Sequence, residues 1–112
     1  MASGGVEVYP GVGVGNMGPG SWVKFRRVDL GTGGYDRVRL RIASAGPGTM
    51  EVRRGKATGP LLATVPFDGG SYDFADAVWQ SAPFGFVEYK QNLFFVVTSG
   101  YANLSDIQIV DE

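Results

Sequence analysis

The chain has 112 residues, enough for one domain and too few for two compact ones, and 44% of them are hydrophobic, which excludes a disordered chain. A net charge of -1 provides no global field for nucleic acid or a membrane, and no apolar run approaches the roughly 20 residues of a transmembrane helix. Histidine and cysteine are both absent, which removes the commonest general base, the thiolate nucleophile and the usual zinc ligands, so we do not expect an enzyme.

The beginning of the chain predicts one short strand followed by a loop. Residues 1–5 have neither a basic region nor an apolar run, so they are not a signal peptide, and we expect an added or disordered start. Residues 6–9 alternate as a short strand that Pro10 ends. The glycine-rich residues 11–20 predict a loop, with at most a short extended piece at 12–14.

Residues 21–44 carry the clearest strand signal in the chain. Val38, Leu40 and Ile42 alternate with three arginines, and this period of 2 predicts a strand over 35–44 with one buried and one solvated face. The strand predicted at 22–30 alternates too, but its apolar residues change parity at Arg26 and Arg27. One extra residue there, a β-bulge, returns both halves of that strand to the core side. The Gly-Thr-Gly-Gly between the two strands supplies the turn.

The rest of the chain predicts further short strands separated by glycine and proline turns. No segment shows a convincing helical stripe of apolar residues. The continuous apolar run at 92–98 predicts a central strand covered on both faces. The other predictions are a turn at 45–48, a strand at 49–54, a loop at 55–60, a strand at 61–65, a turn at 66–70, an extended segment at 72–82 and a last strand at 104–110. Many short strands at nearly regular spacing predict an antiparallel sandwich or barrel.

The basic residues are concentrated in one part of the chain. Nine of the ten lie between positions 24 and 56. Parity points four of them outward: Arg37, Arg39, Arg41 and Arg53. A basic sheet face can bind an anionic glycan or nucleic acid, whereas the alternative is a solvated face whose arginines pair with acidic neighbours such as Glu51 and Asp29. Because no aromatic residues are interleaved with these arginines for base stacking, we favour the solvated face and do not expect nucleic-acid binding.

The aromatic residues divide into predicted core residues and loop residues. Phe94 and Phe95, within the central strand, are predicted core, and Trp22 is predicted to be a core residue at a strand end. Four aromatics lie in or beside predicted loops: Tyr72, Phe74, Tyr89 and Tyr101. Exposed loop aromatics suit sugars, because the C–H face of a pyranose packs on an aromatic ring while a nearby amide bonds its hydroxyls. Asn103 can supply that amide, although taken alone it is typical of an ordinary turn asparagine.

Several stretches together resemble the family 6 carbohydrate-binding modules. Val14-Gly-Asn-Met-Gly-Pro-Gly-Ser-Trp22-Val-Lys-Phe is similar to the family's Val-Gly-Tyr-Ile-x-x-Gly-Asp-Trp-Val-x-Phe. Thr49-Met-Glu-Val-Arg-Arg, Leu93-Phe-Phe-Val-Val and Asn103-Leu-Ser-Asp-Ile match further family segments in order and spacing. The resemblance implies an all-β, antiparallel two-sheet jelly-roll sandwich, with residues 1–112 forming one such domain. It also implies a non-catalytic module that binds polysaccharide or oligosaccharide, attached to a secreted glycoside hydrolase outside the cell.

The resemblance implies a sugar-binding cleft in the loops at one edge of the sandwich. In the family a tyrosine and a tryptophan enclose a sugar ring and an asparagine hydrogen-bonds it. Asn103 matches the asparagine, while the tyrosine position falls on Asn16. The tryptophan position falls on Tyr72 counted from Gly69-Gly70 and on Phe74 counted from Pro83. Together with the loop aromatic Tyr101, these positions make the predicted carbohydrate-binding residues Asn16, Tyr72, Phe74, Tyr101 and Asn103. With one aromatic platform lost and the other changed, we expect weak affinity.

The resemblance also implies a structural calcium ion. The family holds it through glutamates of the first strand and an aspartate near the end of the chain. Here the aspartate position is Ser105, and Asp106 is displaced by one. The candidate ligands are Glu7, Asp106 and Asp111, which provide only some of the six to eight oxygens that Ca²⁺ prefers, so we expect an incomplete site.

Two other functions stay open at the level of sequence. One is a structural or assembly module with an eroded sugar cleft, in which a missing first strand leaves a sheet edge to recruit a partner strand. The other is anionic-glycan binding by Arg37, Arg39 and Arg41, a ladder with about 6.6–6.8 Å between neighbours. Forked hydrogen bonds from such a ladder can engage successive carboxylates or sulfates.

Overall fold

A computed structural model describes residues 6–9 and 14–111, which form two antiparallel sheets. The strands are β1 (Val6–Tyr9), β2 (Val14–Met17), β3 (Trp22–Asp29), β4 (Arg37–Ala43), β5 (Pro47–Arg54), β6 (Leu61–Asp68), β7 (Val78–Pro83), β8 (Lys90–Ser99) and β9 (Ala102–Val110). A 3₁₀ turn, Phe74–Asp76, precedes β7. Within these described ranges no helix is both long enough and apolar enough to cross a membrane.

The two sheets pack face to face and confirm the predicted jelly-roll sandwich. One sheet, here the β4 sheet, has the order β1-β9-β4-β7, with β2 also paired to β9. The other, the β8 sheet, has the order β3-β8-β5-β6. The prediction that 92–98 is a central strand is confirmed, because β8 lies between β3 and β5. The pairing of β1 with β9, Val6 opposite Ile109, contradicts the expected missing first strand on which the assembly hypothesis depended.

Strand parity places the core between the sheets. Val38, Leu40 and Ile42 of β4 are fully buried, as their alternation predicts, while the arginines between them are only partly covered. Leu93 and Phe95 of β8 meet them from the other sheet, so both sheets contribute apolar side chains to one core cluster. The removal of these side chains from water is the main source of the free energy that holds the two sheets together.

The bulge predicted in β3 is confirmed. The pairing of β3 with β8 changes register between Phe25 and Val28. Arg27 lies in the bulge with a φ of 54°, in the left-handed region. Its N–H donates to Asn92 Oδ1 at 3.0 Å. Val28 is consequently returned to the core, where it is 2% exposed.

We expect Arg27→Gly to raise the free energy of unfolding by up to about 1 kcal/mol, because glycine adopts a positive φ without the strain that arginine carries. The matched control is Arg26→Gly, which removes the same charge from a neighbouring exposed position in the same strand. That residue has no positive φ, so the control is expected to lose about 0.5–1 kcal/mol. Urea unfolding of both variants checks the opposite signs, and destabilisation by both changes contradicts the prediction.

Several predicted boundaries are wrong where glycine and proline occur inside strands. The loop predicted at 11–20 contains β2, whose Met17 is 3% exposed and pairs with Ala102 of β9. The turns predicted at 45–48 and 66–70 are shortened, because β5 begins at Pro47 and β6 continues to Asp68. Pro66 is tolerated since β6 is an edge strand with one unpaired side. Residues 1–5, predicted as an added or disordered start, and residues 10–13 lie outside the described part of the chain.

The extended segment predicted at 72–82 is interrupted by the 3₁₀ turn. The Asp73 side chain caps this turn by accepting the Ala75 N–H at 2.9 Å, a local bond that competes with extended structure. The prediction is therefore wrong at Phe74–Asp76 and correct again from Val78.

The prediction of Trp22 as a core residue is also wrong. Because Val23 and Phe25 of β3 pack against the core, Trp22 and Lys24 point outward, and the Trp22 side chain is 52% exposed. Its ring meets Phe94 edge-on with 5.1 Å between centroids. Phe94 is buried, as predicted, but beneath Trp22 on the outer surface of the β8 sheet and not between the sheets.

Strand direction gathers the connections at two ends of the sandwich. One end, which we call the loop end, contains β2, the β4–β5 turn, residues 69–72 and the β8–β9 turn. The Gly69 N–H donates to Ser44 Oγ at 2.9 Å and so links residues 69–72 to the β4–β5 turn. The opposite end contains residues 30–36, 55–60 and 84–89. The Tyr89 N–H donates to the Gly31 carbonyl at 2.7 Å and links the first and last of these segments. These two ends are separated by the full length of the strands.

Candidate functional site

A cavity of about 530 Å³ opens at the loop end. Four separate segments of the chain form its wall: β2, the β4–β5 turn, the residues before the 3₁₀ turn, and the β8–β9 turn. The lining residues are Asn16, Ala45, Gly46, Pro47, Tyr72, Gly100 and Tyr101. We call this cavity the loop cleft.

The β8–β9 turn places Tyr101 at the mouth of the loop cleft. Gly100 has a φ of 75°, and a Cβ there would lie 2.7 Å from the Pro47 carbonyl oxygen, so only glycine lets this turn approach β5. The Tyr101 side chain is 63% exposed. One edge of its ring lies against Gly18, where a Cβ would come within 2.6 Å of Cε2. The turn therefore presents an aromatic ring that is supported on one side and open to solvent on another.

Asn103 lies beneath the loop cleft and ties its walls together. It is 6% exposed, and its Oδ1 accepts the Asn16 N–H at 2.8 Å. Its Nδ2 donates to the Tyr72 carbonyl oxygen. The Tyr72 hydroxyl in turn donates to Asn16 Oδ1 at 3.3 Å. The network fixes Asn16, whose φ of 58° is unusual for a residue other than glycine, relative to Tyr72.

The five predicted carbohydrate-binding residues thus occupy three different places. Asn16, Tyr72 and Tyr101 line the loop cleft, and Asn103 lies under it. Phe74 is half-exposed beside Gly15, where a Cβ would lie 3.7 Å from its ring, and it is not part of the lining. Counting forward from the Gly-Gly turn therefore identified the lining residue, Tyr72, whereas counting back from Pro83 did not.

Sequence reasoning missed the contribution of the β4–β5 turn, Ala45 to Pro47, to the cleft wall. Ser44 holds this turn: its hydroxyl donates to the Gly46 carbonyl at 2.8 Å and accepts the Gly69 N–H. The one signal in the sequence was Ser44, a small polar residue directly after β4. A serine at the end of a strand does not by itself indicate a ligand site.

The composition of the wall limits what the cleft can bind. None of the described residues that line it is charged. Tyrosine rings, proline and glycine backbone offer apolar surface, while the Asn16 amide and the tyrosine hydroxyls offer hydrogen bonds. Such a wall suits a neutral ligand with apolar faces and peripheral hydroxyl groups and gives no attraction to an ion.

The outward arginines of β4 are engaged with neighbouring strands. Arg39 Nη1 donates to Gln108 Oε1 at 2.8 Å, and its guanidinium lies 4.9 Å from the Trp79 ring centroid. Arg41 forms an ion pair of 3.4 Å with Asp106. The predicted pairing with an acidic residue across strands is therefore confirmed for Arg41, although its partner is Asp106 and not Glu51 or Asp29, while Arg39 bonds a glutamine of β9. Trp79 of β7, opposite Arg41, corrects the expectation that no aromatic lies among these arginines.

The other two arginines that parity points outward, Arg37 and Arg53, also bond to neighbouring side chains. Arg37 Nη1 donates to the Ser81 hydroxyl at 3.3 Å on β7. On the β8 sheet, Arg53 forms an ion pair with Glu51, with 2.8 Å between Nη2 and Oε1, but both residues lie on β5, so this pair is within one strand and not across strands as predicted. Asp29, the other predicted partner, instead accepts the Gly31 N–H at 3.0 Å.

The three predicted calcium ligands are not assembled into a site. Asp106 and Asp111 are five residues apart along β9 and beyond it, about 17 Å for extended chain, which is far more than one ion can bridge. The Asp106 carboxylate is instead bound to Arg41 and to the Ser105 hydroxyl. The Glu7 side chain lies outside the described residues, among which no cluster of three or more acidic residues is found. The described residues therefore do not fit the implied calcium ion.

Comparison with known proteins identifies what the chain is similar to. The sequence model of "Carbohydrate binding module (family 6)" matches residues 3–111. No curated protein matches the chain in sequence. The solved structure of CsCBM6-3 from Clostridium stercorarium, in complex with cellobiose, superposes with a TM-score of 0.81 at 19% identity, covering 98% of this chain and 95% of that one.

Two further structures extend the comparison. A glycoside hydrolase family 43 arabinoxylan arabinofuranohydrolase from Bacillus subtilis, in complex with cellotetraose, superposes with a TM-score of 0.78 at 22% identity. That match covers 87% of this chain but only 20% of the hydrolase. A module of family 36 in complex with calcium and xylotriose superposes with a TM-score of 0.61 at 14% identity, covering 93% of this chain and 96% of that one. At these identities the structural matches show the shared fold.

Proposed function

The chain belongs to the family 6 carbohydrate-binding modules, and we propose that it binds polysaccharide or oligosaccharide chains through the loop cleft without catalysing a reaction on them. The observation that carries this proposal is the exposed Tyr101 ring beside an uncharged cavity of about 530 Å³. That volume lies within the range of about 300–1,000 Å³ typical of small-molecule sites.

The lining residues contribute different interactions to sugar binding. The Tyr101 ring, exposed at the cleft mouth, supplies the face on which a pyranose packs, and Tyr72 extends this surface across the cavity. The Asn16 side-chain amide lies beside the Tyr72 hydroxyl and offers hydrogen bonds to sugar hydroxyls. Asn103 acts through these residues by holding their backbone in place. With so few polar groups in the wall, binding is expected to be weak.

The proposal extends to the setting in which the module works. A carbohydrate-binding module concentrates an attached catalytic domain on an insoluble substrate, so we place this chain beside a glycoside hydrolase in a secreted, extracellular protein. The family 43 hydrolase, one-fifth of whose length matches this chain, supports that arrangement. Calcium is left out of the proposal because the described residues do not fit it.

We expect Tyr101→Ala to weaken binding to cellotetraose or xylotriose by about tenfold, because the change removes the exposed ring and leaves the backbone turn intact. Stability is expected to change little, since most of this ring is already in water. Isothermal titration or affinity electrophoresis measures the loss. Trp22→Ala is the matched control, because it removes an aromatic side chain of similar exposure from outside the cleft, and it is expected to bind as the wild type does.

The dependence of affinity on ionic strength distinguishes binding in the loop cleft from binding to the outward arginines of β4. Binding in the uncharged cleft is expected to be the same at low and high salt, because only charged contacts are screened. An affinity that falls steeply with salt and with Arg39→Ala, but not with Tyr101→Ala, contradicts the proposal and assigns binding to the outer face of β4.

A further inference from the structure

The connection from β7 to β8, at the opposite end of the sandwich, holds two large aromatic side chains in solvent. Phe84 and Val87 anchor this connection in the core, being 5% and 7% exposed. Phe86 and Tyr89 project from it and are 71% and 65% exposed. The Phe86 ring lies against Gly33, where a Cβ would come within 2.6 Å of Cε1. Because the buried neighbours already secure the segment, anchoring of the connection does not account for the exposed Tyr89 ring.

Tyr89 is held in a backbone conformation that tyrosine rarely adopts. Its φ is 66°, in the left-handed region where a Cβ is crowded. Its N–H donates to the Gly31 carbonyl at 2.7 Å, and its own carbonyl accepts the Leu30 N–H at 2.9 Å. These two bonds tie the β7–β8 connection to the β3–β4 turn and hold the strained residue in place. Residues kept in such conformations are concentrated at functional sites.

Cavities open on two sides of Tyr89, which lines both of them. One has a volume of about 530 Å³ and extends over the β5–β6 connection, with Arg54, Glu88 and Gln91 among its lining residues. The other has a volume of about 490 Å³ and includes Asp29, Thr32 and Lys90. An exposed aromatic residue between two concave surfaces is suited to a ligand longer than one ring.

The charged groups around Tyr89 balance one another. Each cavity has one basic and one acidic side chain, Arg54 with Glu88 on one side and Lys90 with Asp29 on the other. This balance gives no net attraction to a polyanion, whereas donors and acceptors on both sides suit a neutral polyhydroxylated chain. The core of a protein interface is, by contrast, depleted of charged residues.

We propose that Tyr89 and the two cavities beside it form a second carbohydrate-binding site, at the end of the sandwich opposite the loop cleft. The proposal rests on carbohydrate as the ligand class of the loop cleft. The 10 residues of β8 separate the two ends by about 30 Å, so a short oligosaccharide occupies one end or the other. A polysaccharide-binding module with two such ends can bridge two chains, and its binding to a dense polysaccharide gains from both contacts.

The test is a titration of the 112-residue chain with cellotetraose, followed by the chemical shifts of its backbone amides. Two separate groups of shifted amides are expected, one around Asn16, Tyr72 and Tyr101 and one around Gly31 and Tyr89. Tyr89→Ala is expected to weaken binding at the opposite end at least tenfold and to leave the loop cleft unchanged, while Tyr101→Ala is expected to do the reverse. Tyr89→Gly also removes the ring but relieves the positive φ, so it separates loss of binding from loss of folding.

The outcomes distinguish this inference from the proposed function. Shifts confined to the loop cleft, with Tyr89→Ala and Tyr89→Gly both neutral, overturn the second site and leave the first intact. Shifts confined to the opposite end, and abolished by either Tyr89 variant, overturn the loop cleft and support the second site. Shifts at the opposite end that follow protein concentration and not cellotetraose overturn the second site, because they indicate association between copies of the chain.

Discussion

Asn103→Ala is expected to lower the free energy of unfolding by about 2–3 kcal/mol and to weaken glycan binding at least tenfold. The change removes the acceptor of the Asn16 N–H and the donor to the Tyr72 carbonyl, and a buried group left without its partner costs about 1–3 kcal/mol. Because the two bonds join β2 to the segment before the 3₁₀ turn, their loss also frees the two cleft walls to move apart.

Urea unfolding and titration with cellotetraose, performed on the same samples, check this prediction. Asn103→Asp is the second variant: it keeps the Oδ1 acceptor for the Asn16 N–H but places a buried carboxylate oxygen against the Tyr72 carbonyl oxygen, so its stability is expected to be no higher than that of Asn103→Ala. Wild-type stability in Asn103→Ala, combined with lost binding, contradicts the positioning role and indicates that the amide contacts the sugar directly.

Gly100→Ala is expected to cost about 2–4 kcal/mol and to displace Tyr101 from the cleft mouth. A left-handed conformation alone costs an alanine about 1–2 kcal/mol. The added Cβ would in addition lie 2.7 Å from the Pro47 carbonyl oxygen and 2.8 Å from Gly48 Cα, both of them backbone atoms that cannot rotate away. The turn must shift to relieve this contact, and the tyrosine that follows shifts with it.

Gly20→Ala isolates the conformational part of that cost. Gly20 also has a positive φ, of 89°, but a Cβ there meets no atom within 4 Å. We therefore expect this control to lose only about 1–2 kcal/mol and to keep its glycan affinity. Thermal or urea unfolding of both variants measures the difference, and equal losses would show that the contact with Pro47 adds nothing.

Most of the strands, and the family, could be derived from the sequence by itself. Alternation along β4 determined which of its residues face the core, because successive side chains of a strand point to opposite faces whatever the strand pairs with. The same rule located the bulge at Arg26 and Arg27, where parity changes, and the structure assigns the positive φ to Arg27. The order of short motifs identified a family 6 module, and through it the place of Asn16 and Tyr72 in one cleft, whereas Tyr101 was selected as a loop aromatic.

Only the tertiary structure decided how those residues act. Asn103 has the residue type of a sugar ligand, yet it is buried and bonds to the backbone of Asn16 and Tyr72, which precede it by 87 and 31 residues. These contacts make it a support for the cleft. β2 exists because β9 offers it a pairing edge, which its own glycine-containing sequence does not predict. Tyr89, one more loop tyrosine in the sequence, stands between two cavities because distant turns bond to its backbone. Parity and turn chemistry are local properties, whereas the meeting of loops at one end depends on strand order, which joins segments far apart in the chain.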